Sequence, residues 1–140
     1  MSKYILFLSI FLTFMSCNKN EDESLLAIVI KLNSAESLGN FNEATKYIDI
    51  DKVYSKYVKD GKSANEIWRE YVMFTYNLSQ DNKFTNTFKY YQYSIRENQN
   101  GNTGVVTFES INPKAKIKKL IYKLTRIGNN WKVTDIEYIK

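Results

Sequence analysis

Gly128-Asn129-Asn130-Trp131-Lys132-Val133-Thr134-Asp135-Ile136-Glu137-Tyr138 carries the most telling pattern of the chain. Alternating large apolar and polar side chains mark a half-buried strand. Here the alternation changes phase: Trp131 and Val133 share one parity, Ile136 and Tyr138 the other. One extra residue near Thr134-Asp135 returns all four to one face, and such a β-bulge also bends the sheet that carries it.

Upstream, Gly128-Asn129-Asn130 turns the chain into this strand from a third one spanning Lys116 to Ile127. Asn112-Pro113 breaks a second strand, Gly104 to Ile111, because proline cannot donate to a ladder. Phe88 to Arg96 is aromatic and β-rich, and Asn98 to Asn102 joins it to the second strand. The Asn-Gly pair there predicts a type I′ hairpin turn. Short connections between consecutive strands predict an antiparallel meander.

Before Lys83 the period is helical. Leu25, Ile28, Val29, Leu32, Ala35 and Leu38 recur at three- and four-residue steps, with Gly39 as the stop. Asn40 caps a second helix with Glu43 in a box-like position, and Phe41, Ala44, Tyr47 and Ile48 make its apolar side. Asp49 to Asp51 interrupts it, and Val53, Tyr54, Tyr57 and Val58 continue as a helical turn or a short strand. Ser63-Ala64-Asn65-Glu66 is a capping box opening a helix to about Gln80, with Ile67, Tyr71, Phe74 and Leu78 on one face and Trp68, Val72 and Thr75 beside it. Helices followed by strands predict an α+β domain, the N-terminal helices packed on one face of a curved four-stranded meander, cone-shaped.

This layout, ending in turn–Trp131-Lys132-Val133-x-x-Ile136, resembles the nuclear-transport-factor-2-like superfamily, whose domains are α+β cones. The resemblance covers nearly all of the chain after Cys17 and implies a cone with a pocket between helices and sheet. That superfamily holds isomerases, dehydratases and polyketide cyclases as well as binding modules, so its fold transfers no activity. Its enzymes use a carboxylate or histidine base with tyrosine or acid donors. No acid of this chain aligns with a family catalytic motif, so no catalytic residue is carried over.

The N-terminus reads as an address. Lys3 precedes an apolar run from Tyr4 to Met15, the length of a signal-peptide core and shorter than the ~20 residues of a transmembrane helix. Phe14-Met15-Ser16-Cys17 resembles a bacterial lipobox, with Phe14 in place of the usual leucine and Met15 larger than usual. The resemblance implies lipidation of Cys17 and a membrane anchor. The expected organisation is a signal peptide over 1–16, an acidic tether over 17–23 and one cystatin-like cone domain over 24–140. Localisation then falls in the bacterial cell envelope, at the outer membrane, with the acids of the tether resembling surface-export signals.

The 140 residues hold no histidine and one cysteine. This excludes a disulfide framework, the serine triad, the cysteine–histidine dyad and multi-cysteine zinc sites. No phosphate loop is present, and neither cofactor nor metal is expected. Pocket candidates are Tyr47, Trp68, Tyr71 and Tyr122, on the inner faces of their elements, where they also serve as core aromatics. Among the acids, Asp49, Asp51, Glu109 and Asp135 stand in positions that approach a cone mouth; caps, turns and outward strand positions explain the same placement.

Charge divides along the chain: residues 17–82 carry 8 basic and 11 acidic side chains, net −3, and residues 83–140 carry 11 and 4, net +7. Lys116, Lys118 and Lys123 make the third strand a candidate basic surface for an acidic protein or anionic glycan; lysines also protect sheets from pairing. Nucleic acid is not an expected partner. The sequence thus points to a lipid-anchored, non-enzymatic envelope lipoprotein binding a protein partner or small ligand. A pocket enzyme using a carboxylate and tyrosines, and an immunity-type module blocking a toxin, are the alternatives.

Overall fold

The computed structural model describes residues 23–80 and 92–140. The expected signal peptide, Cys17, the expected tether up to residue 22, and positions 88–91 of the expected first strand lie outside the described residues. Among the described residues four α-helices precede four strands: α1 (Leu25–Ser37), α2 (Phe41–Ala44), α3 (Ile50–Tyr54), α4 (Ala64–Gln80), β1 (Tyr93–Asn100), β2 (Thr103–Ser110), β3 (Lys119–Ile127) and β4 (Asn130–Ile139). The strands form an open antiparallel sheet in the order β1-β2-β3-β4. This is the α+β arrangement of helices on a curved meander.

The bulge lies where the phase change requires it. Lys123 pairs with Asp135 and Leu124 with Val133, which leaves Thr134 as the extra residue. Trp131, Val133 and Ile136 are consequently all buried, and Tyr138, on the same face at the strand end, is half-exposed. β4 is an edge strand, and its free edge is covered at the bulge. Val133 N–H donates to the Tyr47 carbonyl and Asp49 N–H to the Val133 carbonyl, each at 2.8 Å. Asp49 also caps α3 by accepting from Lys52 N–H, so the segment whose period was ambiguous is helical, with a 3-10 turn at Ser55–Tyr57.

Both hairpins β1–β2 and β3–β4 have two-residue loops, Gly101-Asn102 and Gly128-Asn129. Only the first loop residue has positive φ, 58° at Gly101 and 61° at Gly128. That is the sign pattern of a type II′ turn, in place of the expected I′. Asn100 is a ladder residue paired with Thr103, so the Asn-Gly pair is centred one position too early for I′.

Helix α1 lies across the inner face, touching β1, β2 and β4, while α3 packs on β4, and α4 packs on α1 and α3. Gly104 lets α1 approach β2: a Cβ there would come within 2.4 Å of Leu25 Cδ1. The core joins Leu25, Val29 and Leu32 of α1 with Val106, Phe108, Leu124 and Val133 of the sheet and Trp68 and Val72 of α4.

Two local expectations differ in detail. In α2, Asn40 accepts from Glu43 N–H, but the Glu43 carboxylate turns to Lys46 and Tyr47 instead of closing a box. In α4 the box is complete: Glu66 N–H donates to Ser63 Oγ at 3.2 Å and Ser63 N–H to Glu66 Oε2 at 2.7 Å. The buried stripe of α4, however, is Ala64, Trp68 and Val72, whereas Tyr71 and Phe74 are exposed. Two adjoining arcs of that helix are about equally apolar, and contact with α1 selects the arc carrying Trp68.

Candidate functional site

Helix α1 builds the most unusual feature of the interior. At 100° per residue, Glu36 falls between Leu25, Val29 and Leu32, inside the apolar arc, with Asn33 at its margin. Folding therefore carries a carboxyl and an amide toward the sheet. Trp68 of α4, fully buried, donates its indole N–H to Glu36 Oε1 at 2.7 Å. Tyr122 of β3 donates its hydroxyl to Asn33 Oδ1 at 3.0 Å. The Asn33 amide nitrogen is buried and has no acceptor among the described residues.

Burial pushes the Glu36 carboxyl from its ordinary 4.5 up to about 7, against the lowering effect of the Trp68 bond. Loss of hydration penalises the charged form. Three more phenols join the cluster. Tyr54 of α3 lies with its ring 6.3 Å from that of Tyr71. Burial holds the Tyr54 hydroxyl well above the ordinary tyrosine range, helped by the charges of Glu36, Tyr71 and Tyr122. Tyr138 of β4 is raised likewise, by burial and then by Tyr71, Tyr122 and Tyr54. The site thus draws on α1, α3, α4, β3 and β4, with Tyr71 and Tyr138 at its exposed side, 43% and 47% accessible.

Of the four aromatics singled out in the sequence, Trp68, Tyr71 and Tyr122 belong to this cluster and Tyr47 does not. Tyr47 lies beside β4 at Trp131 and Lys132, where its hydroxyl donates to Glu43 Oε1 at 2.7 Å, and that bond raises it to about 12. The acids weighed in the sequence lie elsewhere as well. Asp49 is a helix cap, and Asp51 is exposed in the first turn of α3. Glu109 pairs with Arg96 and Lys119, and Asp135 with Lys56 and Lys123, on the outer sheet face. Glu36, Asn33, Tyr54 and Tyr138 were not singled out. A charge within an apolar helical stripe was the signal for Glu36.

The basic candidates divide. Lys123 projects from the outer face of β3 between Asp135 and Glu137, so its charge is balanced locally. Lys118 donates to the Pro113 carbonyl, and Lys116 is exposed without an ion-pair partner among the described residues. Both precede β3, which begins at Lys119 and not at Lys116, because the 111–118 segment is irregular.

Chemically, the cluster offers one carboxyl poised to gain or lose a proton near neutrality, phenolic donors, and one uncommitted amide donor. Among the described residues no three carboxyl or thiol groups converge to hold a metal ion. Comparison of the chain with protein-family models, curated proteins and solved structures finds no significant match.

Proposed function

We propose that the chain is a lipid-anchored envelope protein, tethered through Cys17, whose nuclear-transport-factor-2-like cone binds a small ligand at the Glu36–tyrosine cluster without transforming it. The observation that carries this reading is the pairing of two half-buried polar side chains of α1, Glu36 with Trp68 and Asn33 with Tyr122, which leaves the buried Asn33 amide nitrogen without an acceptor among the described residues. An unpaired buried amide donor costs roughly 1–3 kcal/mol. A ligand oxygen accepting from Asn33 removes that cost, and the ligand's apolar body replaces water at Tyr71 and Tyr138. The balanced charges around Lys123 favour this small-ligand reading over capture of an acidic protein on the sheet.

A second reading, an isomerase- or dehydratase-type enzyme, draws on one observation: a carboxyl near pKa 7 beside phenols is suited to move a proton at neutral pH. Native mass spectrometry of the chain purified from its own membranes tests both. A non-covalent adduct on the wild type that is lost in Tyr71→Phe/Tyr138→Phe supports binding. Recovery of that ligand unchanged after prolonged incubation separates binding from turnover. A wild-type protein free of adduct contradicts the proposal.

A further inference from the structure

The Glu36 carboxyl is engaged through one oxygen only. Oε1 accepts from the Trp68 indole, whereas Oε2 accepts from no donor among the described residues. Two side-chain atoms among those residues are both enclosed and unpartnered, Asn33 Nδ2 and Trp131 Nε1. Glu36 Oε2 is not one of them, and Glu36 itself is only half-buried, so this oxygen keeps surface open to a solvent-sized group. The Tyr54 hydroxyl stands near enough to feel the charge of Glu36. An unused carboxyl oxygen therefore reaches accessible space beside the phenols.

Charge supplies the independent observation. Among the described residues no lysine or arginine pairs with Glu36. Cations on the packed elements are committed elsewhere: Lys56 of the 3-10 turn holds Asp135 at 2.6 Å, and the Arg69 guanidinium of α4 lies 4.4 Å from the Phe41 ring centroid. The titratable groups facing the cluster are phenols: Tyr54 from α3, Tyr57 from the 3-10 turn, Tyr71 from α4, Tyr122 from β3 and Tyr138 from β4. The rings of Tyr57 and Tyr71 lie 6.0 and 6.3 Å from that of Tyr54. Phenols offer hydrogen bonds but no counter-charge, and their ring faces attract cations.

We propose that the ligand of this cluster is an organic ammonium ion, whose N–H groups donate to Glu36 Oε2 while its apolar body packs on the half-exposed rings of Tyr71 and Tyr138. The inference rests on the small-ligand reading above and names the chemistry which that reading leaves open. An ammonium makes a charge-assisted bond to the carboxylate. A neutral alcohol donates to the same oxygen but brings no counter-charge, so it does not offset the cost of ionising a carboxyl away from water. An anionic ligand is opposed by Glu36. Binding and ionisation are then linked. The ammonium selects the carboxylate, so affinity rises with pH across the Glu36 titration, and bound ammonium lowers the Glu36 midpoint.

The test titrates the full chain in neutral detergent micelles with n-butylammonium and, separately, with 1-butanol, which has the same length and donates an O–H without a charge. The Glu36 carboxyl carbon and the Trp68 indole N–H are followed by NMR. At pH 8 n-butylammonium is expected to shift both resonances to saturation, and its binding to lower the Glu36 midpoint from about 7 to below about 6. Binding is expected to be at least about tenfold weaker at pH 5, for 1-butanol, and in Glu36→Gln, where the carboxylate is protonated, unmatched or absent. The glutamine oxygen of that variant still accepts from Trp68, and an unchanged Trp131 indole resonance reports an intact fold. Equal affinity for 1-butanol, a pH-independent affinity, undiminished binding in Glu36→Gln, or no response to n-butylammonium each overturns the assignment. The small-ligand reading is judged by the mass-spectrometric adduct instead, so an adduct that persists while n-butylammonium fails refutes the ammonium alone.

Discussion

The indole N–H of Trp68 donates to Glu36 Oε1 at 2.7 Å, and this bond ties α4 to α1 across a residue separation of 32. It also leaves a carboxyl in a place where ionisation is costly. Both the pH response of the protein and its candidate site follow from that placement.

Stability is predicted to fall as pH rises from about 5 to about 7. Glu36 has a folded-state value near 7 against an ordinary 4.5, so the folded state binds the proton more tightly. Its contribution is complete below the unfolded value and is lost as pH passes the folded one. The shift corresponds to roughly 3 kcal/mol at 1.36 kcal/mol per unit. With no histidine in the chain, the usual titrating group of this window is absent. Denaturant unfolding at pH 5 and pH 8 is expected to show the loss in the wild type and not in Glu36→Gln.

Trp131 and Gly104 both lie on the buried inner face of the sheet. Trp131→Ala is expected to cost ~3–5 kcal/mol in denaturant unfolding, as for other fully buried aromatics. Gly104→Val places atoms against Leu25, itself 2% exposed, and is expected to cost ~1–3 kcal/mol through overpacking. A loss below ~1 kcal/mol for Trp131→Ala contradicts the position given to β4.

The capping box of α4 makes a smaller prediction. Ser63→Ala removes the acceptor for Glu66 N–H and is expected to cost about 1 kcal/mol. Ser63→Gly should lose only a few tenths of that.

The anchor is tested separately. Metabolic labelling with a fatty-acid analogue should mark the wild type and leave Cys17→Ala unmarked. Equal labelling of both contradicts lipidation at Cys17.

Much of the architecture was legible from short-range chemistry. The phase change between Val133 and Ile136 located the bulge near Thr134-Asp135, because a period of two leaves no other way to keep Trp131 and Ile136 on one face, and the register then leaves Thr134 as the extra residue. Ser63 and Glu66 marked the start of α4 through their own hydrogen bonds. What escaped depended on packing between distant elements. The choice between two apolar arcs of α4 was made by α1, and the hairpin turn type by the pairing of Asn100 with Thr103. Glu36 escaped because a glutamate on an amphipathic helix is ordinarily solvated. Its angular position within the Leu25–Val29–Leu32 arc carried the information, but its tyrosine neighbours come from segments up to about a hundred residues away. Tyr54 was hidden further by a segment whose period suits helix and strand equally.

The most direct measurement is the ionisation of Glu36 itself. A carbon-13 NMR titration of the glutamate side-chain carboxyls, with Glu36→Gln identifying the resonance, is predicted to give a midpoint near 7 for Glu36. Trp68→Phe, which removes the hydrogen bond that favours the carboxylate, is predicted to raise that midpoint further. A midpoint near the ordinary 4.5, unmoved by Trp68→Phe, would contradict the buried acid on which the site rests.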